Sequence, residues 1–280
     1  MREILRSAVA LFEKNQISAV DAEILLAHVI GVSRKQLITS TWELPESELE
    51  RVRDEFNGLV EQRLLGKPVQ YITGSAPFRY LELSVGPGVL IPRPETEELV
   101  EWIISYASIM NKPLSVIDLG TGSGCIPIAL KLALPLCTLT GLDISKEALA
   151  VAKINAKNAE ASIEWIEQDI LNTAALDNTY DIIVSNPPYI PIREKVNMQE
   201  QVVGFEPSIA LFVSNEDPLI YYKAIAKMAK QNLSTNGQLF FEIHYDQGKA
   251  LLALLDELNF HAELRQDSYG KNRMIRASLK

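Results

Sequence analysis

Asn186-Pro187-Pro188-Tyr189 sets one carboxamide, two prolines of fixed φ and one aromatic ring in four consecutive positions. It follows directly on Tyr180-Asp181-Ile182-Ile183-Val184-Ser185, a short apolar run rich in β-branched residues that predicts a buried β-strand. Open α/β sheets bind ligands at the carboxyl ends of their strands. There, the Asn186 side-chain oxygen and the Pro187 carbonyl can accept both hydrogens of a planar NH2 group while Tyr189 covers one face. On its own, a Pro-Pro pair reads as a stiff turn leaving a strand. Asp118-Leu119-Gly120-Thr121-Gly122-Ser123-Gly124 changes that balance, because it ends one predicted strand and opens a helix. Glycines at such a junction let backbone N–H groups come close to a ligand. The spacing is neither the dinucleotide G-x-G-x-x-G nor a Walker A loop, which needs Gly-Lys-Ser/Thr.

Asp143 ends the next predicted strand, where an acid can take both hydroxyls of a ribose. Asp169 closes a third, in position to accept from an adenine amino group. Either acid alone could equally be a helix N-cap or a solvated loop residue. Together the four features occupy the carboxyl ends of four successive strands. A nucleoside cofactor across those ends is the economical account, and the missing phosphate loop favours S-adenosylmethionine over a nucleotide.

The elements that must position these groups fall into two regimes. Up to about Gly66 the signals are helical: Ser18 and Asp21 suggest a capping box, Gly31 a helix end, and Ser47 with Glu50 a second start. Leu49, Val52, Phe56, Leu59 and Val60 then share one helical face. From Pro68 to Pro94 the chain is punctuated by Gly and Pro and alternates as a β-hairpin or linker. Beyond it, strands are predicted at 114–119, 138–142, 162–166, 180–185, 238–243, 261–265 and 274–277, with helices that include 146–158 and 219–232. This alternation implies a mostly parallel sheet covered on both faces. The last two strands are joined too tightly for a parallel crossover, so one runs antiparallel to its neighbour. The expected domains are therefore 1–67, helical; 68–94, linker; and 95–280, the α/β domain.

Composition narrows the classes. At 280 residues and 47% hydrophobic the chain can bury a substantial core. It has no run that would span a bilayer and no signal-peptide pattern at Met1-Arg2-Glu3, so a cytoplasmic location without membrane association is expected. Its net charge of −9 exerts no global pull on nucleic acid. Cys125 and Cys137, outside any Cys-x-x-Cys spacing, are expected to be reduced, buried and structural. His28, His244 and His261 have no metal-ligand spacing, and no metal is expected. Arg93 between two prolines could clamp substrate or cofactor, or pair with a nearby acid. Glu206 before Pro207 either positions the Asn-Pro-Pro-Tyr loop or is exposed, and Asp267, Lys271 and Arg273 read as turn chemistry.

Several segments carry a family resemblance: Asp21-Ala22-Glu23-Ile24-Leu25-Leu26, Tyr71-Ile72-Thr73-Gly74, and Leu90-Ile91-Pro92-Arg93-Pro94-Glu95-Thr96-Glu97. The glycine loop, Asn186-Pro187-Pro188-Tyr189-Ile190, Phe205-Glu206-Pro207 and Glu242-Ile243-His244-Tyr245-Asp246-Gln247-Gly248 complete the set. On these the chain resembles the S-adenosylmethionine-dependent methyltransferases of the seven-stranded class. It is most similar to the protein-glutamine N5-methyltransferases that modify peptide chain release factors in translation termination. The resemblance implies a Rossmann-like seven-stranded α/β domain with a small N-terminal helical docking domain and a β-hairpin linker. It also implies that Gly120, Thr121, Gly122, Ser123 and Gly124 line the methionine part of the cofactor and that Asp143 holds the ribose. Asp169 and Ile170 would border the adenine, and Asn186 would face the transferring methyl. Asn186, Pro187, Pro188 and Tyr189 would receive a glutamine from the release factor's Gly-Gly-Gln loop, with Asn186, Pro187 and Tyr189 as the catalytic set and S-adenosylhomocysteine as the product; Arg93 remains a candidate substrate contact on the residue reading above. The implied partner is a release factor rather than nucleic acid, and the implied state a monomer.

The strongest rival is an adenine N6 or guanine N2 methyltransferase of DNA or RNA, since a flipped base also presents a planar NH2. A helical domain without a basic stretch argues against it. A non-catalytic cofactor sensor would have no need of the Asn-Pro-Pro-Tyr acceptors. A methylase of a ribosomal-protein glutamine is the nearest in chemistry.

Overall fold

The computed structural model describes residues 1–42 and 44–280. The chain divides into two compact units, Met1–Ser75 with Gln199–Phe205, and Ala76–Met198 with Glu206–Lys280. The first holds five helices in succession: α1 (Arg2–Lys14), α2 (Ala19–Ile30), α3 (Arg34–Thr39), α4 (Glu46–Leu64) and α5 (Val69–Thr73). Phe12, Leu25, Leu26, Val52 and Phe56 form its core, each at most 1% exposed. Burying five such side chains is worth roughly 1.5–3 kcal/mol apiece, which lets short helices of modest propensity persist. Gly31 ends α2 in the left-handed region, φ 77°, where a Cβ would be strained.

The second unit opens on a two-stranded sheet, β1 (Ser75–Phe78) and β2 (Leu81–Ser84), followed by α6 (Pro94–Met110). Then come β3 (Ser115–Leu119), α7 (Cys125–Ala133), β4 (Thr138–Asp143), α8 (Lys146–Asn158), β5 (Glu164–Glu167) and β6 (Tyr180–Ser185). A second small sheet pairs β7 (Ile190–Pro191) with β8 (Phe212–Val213). Between them lie α9 (Glu200–Phe205), which folds with the first unit, and α10 (Ser208–Leu211). The chain closes with α11 (Ile220–Asn232), β9 (Leu233–Glu242), α12 (Gly248–Glu257), β10 (Phe260–Gln266) and β11 (Asn272–Leu279). The main sheet has seven strands in the order β10-β11-β9-β6-β3-β4-β5. All pairings are parallel except those of β11, which runs antiparallel to both β10 and β9.

One apolar layer, including Trp102, Ile103, Ile126, Val116 and Phe240, covers one face of this sheet. A second, including Ile117, Ile183, Tyr222, Ile225 and Phe241, covers the other. Neighbours in sequence such as Val116 and Ile117 point to opposite layers, as the two-residue period of a strand dictates. Among the described residues no helix is long and apolar enough to cross a membrane.

The seven expected strands all form, and Tyr180–Ser185 and Lys146–Asn158 have the expected bounds. Other details differ. The helix expected to start at Ser47 begins at Glu46 behind Pro45, with no side-chain cap, because proline's fixed φ already presets the entry. Ser18 caps α2 through Val20 N, but Asp21 does not complete a capping box; its carboxylate instead binds Arg63, 2.7 Å away. The segment expected as a hairpin from residue 68 starts with a helical turn, α5, closed by Gly74 at φ 74°. The hairpin itself is confined to Ser75–Ser84.

Gly141 on β4 is paired with Trp165 on β5. A Cβ there would stand 2.4 Å from the indole ring and 3.1 Å from Thr121 Oγ1. Gly141→Ala is therefore expected to destabilise the protein by about 1–3 kcal/mol through overpacking. The check is the urea midpoint at unchanged m-value; an unaltered midpoint would show that Trp165 gives way freely.

Candidate active site

At the carboxyl edge of the main sheet, β3 runs straight into the glycine loop and α7. Gly120 N and Thr121 N both donate to the Leu142 carbonyl at the end of β4, at 2.8 and 2.9 Å. Gly124 precedes α7 in the left-handed region, φ 79°. This path turns the Gly122 N–H towards Asp143, whose Oδ2 accepts from it at 2.8 Å while Oδ1 accepts from Ser145 N at 2.9 Å. Burial pushes the Asp143 carboxyl above its usual range, and the N–H groups of Ser145 and Gly122 pull it back.

A cavity of about 330 Å³ opens over this edge, within the range of small-molecule sites. Of the residues singled out from the sequence, Gly120, Thr121, Gly122, Ser123, Asp143, Asp169, Ile170, Asn186, Pro188 and Arg93 line it. Gly124, Pro187 and Tyr189 do not. Gly124 instead packs its bare Cα against Ala152, Ile128 and Trp165, where a Cβ would lie 3.1 Å from each. The Tyr189 hydroxyl turns away to donate to Glu242 Oε1 at 3.2 Å, and its ring lies 5.9 Å from that of His244. Asp169 caps a 3-10 turn through Leu171 N and also accepts from the Asn172 carboxamide.

Arg93 pairs with Glu206, which is buried and also accepts from Ile91 N at 3.1 Å. Both alternatives for Arg93 thus meet in one residue, which lines the cavity while tied to an acid. Glu206 proves to be a buried anchor. Asp267 accepts from Tyr269 N, Lys271 N and Arg273, the turn role expected of it. Cys125 and Cys137 are buried free thiols. Burial pushes the Cys125 thiol up to about 12, with the charge of Asp118 adding, so it stays protonated and unreactive.

Four residues at the site had no role assigned from the sequence. Asn155 of α8, 2% exposed, donates to the carbonyls of Ser84 and Ser123 and accepts from Ser84 N, tying β2 to the glycine loop. Its signal was a carboxamide between Ala152 and Ala156 on an apolar helix face. Thr96 and Glu242, both buried, hydrogen-bond each other at 2.6 Å beside Asn186. Tyr221 of α11 completes the cavity wall, and burial raises its hydroxyl, with Asp169 and Asp143 adding.

Asp118 stands out: it is 1% exposed, and neither carboxylate oxygen completes a hydrogen bond among the described residues. Burial pushes its carboxyl up to about 7; the neighbouring Thr121 hydroxyl opposes this and the charge of Asp143 adds. A carboxyl raised in the folded state from its ordinary 3.8 contributes stability that is fully present below about 3.8 and is lost as pH rises through about 7. Relative to Asp118→Asn, the ligand-free protein is thus expected to lose stability, about 4 kcal/mol at most, between pH 4 and 8. Urea unfolding of both proteins across that window checks this, and parallel curves would refute it.

Residues 3–74 match the family model described as the PrmC N-terminal domain, and residues 106–204 that of the methyltransferase small domain. Over 284 aligned residues the chain is 39% identical to a release factor glutamine methyltransferase of Flavobacterium psychrophilum, covering 99% of this chain and 97% of that protein. It is 45% identical over 211 residues to a release factor glutamine methyltransferase of Lactococcus lactis, covering 75% and 76%. A solved methyltransferase from Pyrococcus furiosus, 13% identical, shares the fold with a TM-score of 0.55 over 79% of this chain and 98% of that one. The sheet order, the glycine loop and these matches define a methyltransferase. More narrowly, the chain belongs to the release factor glutamine methyltransferase family.

Proposed function

We propose that this protein transfers a methyl group from S-adenosylmethionine to the side-chain amide nitrogen of the glutamine in the Gly-Gly-Gln loop of peptide chain release factors. The observation that carries the reading is that one cavity joins the glycine loop, Asp143 and Asp169 to Asn186 and Pro188. The relatives' names supply the substrate.

The residues fit the cofactor. The bent glycine loop offers close backbone approach, and Asp143 uses two of its roughly four acceptor sites on Gly122 and Ser145, leaving two for a ribose. The unpartnered carboxylate of Asp118 and hydroxyl of Thr121 behind the loop suit a ligand that brings positive charge nearby. Gly120 to Ser123 would hold the methionine part, Asp143 the ribose, and Asp169 and Ile170 the adenine. When bound, S-adenosylmethionine supplies an electrophilic methyl group.

A primary amide nitrogen is a poor nucleophile because its lone pair is delocalised into the carbonyl. The chain's contribution is therefore chiefly orientation. Asn186 Oδ1 accepts one amide hydrogen and the Pro187 carbonyl the other, which holds the nitrogen in line and raises its electron density as the transition state is approached. Arg93, fixed by Glu206, borders the entering side chain.

Purified release factor with labelled S-adenosylmethionine is expected to gain one methyl group, and a copy with the Gly-Gly-Gln glutamine changed to alanine none. Transfer to RNA or DNA instead would overturn the substrate. Asn186→Ala is expected to lower turnover on the order of 100-fold while cofactor affinity changes only a few-fold. Equal losses in both would remove Asn186 from this role.

A further inference from the structure

We propose that Thr96 and Glu242 are positioning residues that fix which end of the Asn186 carboxamide faces the substrate. This rests on the reading above, in which Asn186 presents its oxygen to an NH2 group. A carboxamide rotated by half a turn would offer its own NH2 instead and repel that group, so its orientation matters to the reaction.

Hydrogen-bond polarity settles the orientation. Glu242, 1% exposed, ends β9 beside the end of β6. As a carboxylate it only accepts: from Thr96 Oγ1 at 2.6 Å and from the Tyr189 hydroxyl at 3.2 Å. Thr96, 2% exposed in the first turn of α6, thereby spends its only proton on Glu242. Its oxygen can then only accept, and what lies 3.2 Å away is Asn186 Nδ2. Every donor points one way, from Asn186 to Thr96 to Glu242. Asn186 Oδ1 accepts no hydrogen bond from the described residues and is left for the substrate.

The relay reverses on protonation. A protonated Glu242 can donate to Thr96, which then donates to Asn186 and turns the carboxamide. The groups facing Glu242 are Thr96 and Glu95 of α6, Tyr189 after β6, Arg273 of β11 and Cys125 of α7, with the Tyr222 hydroxyl of α11 on its main-chain carbonyl. Burial raises the Glu242 carboxyl above the usual range; the hydroxyls of Thr96 and Tyr189 and the charge of Arg273 favour the ionised form, and Glu95 opposes it. Turnover should therefore fall on the acid side at a pH above that of an ordinary glutamate.

The test begins without substrate. In protein labelled with 15N-asparagine, the Asn186 side-chain NH2 is expected to exchange with water at least about tenfold faster in Thr96→Val than in the wild type, and Thr96→Ser to restore protection. Equal exchange in all three overturns the relay. With release factor, Thr96→Val is expected to lose about 10- to 100-fold in turnover with cofactor affinity within about threefold, and Thr96→Ser to recover most of it. Wild-type turnover by Thr96→Val overturns the relay as well. If Thr96→Val does not fold, Glu242→Gln decides through the pH profile: loss of the acid limb supports the relay and its retention refutes it. A wild type that leaves release factor unmethylated removes the substrate reading, while the exchange measurement still decides the geometry at Asn186.

Discussion

The Leu142 carbonyl accepts from both Gly120 and Thr121, and the site hangs from that double acceptor. It holds the end of β3 against the end of β4 after the ladder has stopped, so the glycine loop must bend sharply before α7. The same edge is fastened on either side. Ser185 Oγ donates to the Leu119 carbonyl at 2.6 Å, binding β6 to β3, and Gln168 N donates to the Asp143 carbonyl at 3.0 Å, binding β5 to β4. Four strand ends thus form one rigid rim, and the residues at or just beyond them, Asn186, Gly120, Asp143 and Asp169, inherit its precision. A site built on strand ends is positioned better than one on free loops.

Buried polar groups around this rim are paired almost throughout, as the cost of leaving them unpaired demands. Glu206 takes Arg93 and Ile91, Asn155 takes Ser84 and Ser123, and Asp267 takes the turn that joins β10 to β11. The first two pairings hold segments that line the cavity, through Arg93 and Ser123. Among the described residues the exceptions are the Asp118 carboxyl and the Thr121 hydroxyl behind the glycine loop, together with Gln247 Oε1. The other buried carboxylates, of Glu206, Glu242 and Asp267, all have partners, which sets Asp118 apart.

The inner strands of the sheet were legible because they are buried on both faces. Runs such as Tyr180–Ser185 and Ser115–Leu119 carry apolar residues on both faces, and the tight joint between the last two strands forced an antiparallel pair. The glycine loop, Asp143, Asp169 and Asn186 were legible because each sits at a strand end or within two residues of one. Helix starts were less so: α4 begins one residue before Ser47 because Pro45 sets its entry, and no side chain is needed. What stayed hidden were the partners set by contact between distant segments. Thr96 and Glu242 stand 146 positions apart in sequence, Asn186 and Thr96 90, and Arg93 and Glu206 113. No local periodicity signals a buried glutamate at the end of a strand. Likewise, the bond from the Tyr189 hydroxyl to Glu242, 53 positions away, is set by the fold and carries no local signal.

Under the proposed reaction, the protonation states around Asn186 bear on how a substrate amide would be activated there. Burial and the charge of Glu242 raise the Tyr189 hydroxyl far beyond neutral pH, so it is a donor and not a base. Cys125 remains a thiol, and both oxygens of Glu242 are occupied by Thr96 and Tyr189. None of these groups can take a proton from the substrate nitrogen without dismantling the network that orients Asn186. An amide needs no such help before it is alkylated, because the proton becomes acidic only once the new bond forms. The fold accordingly invests its buried polar interactions in direction rather than basicity, and direction is the larger effect for a weak nucleophile held against an electrophile.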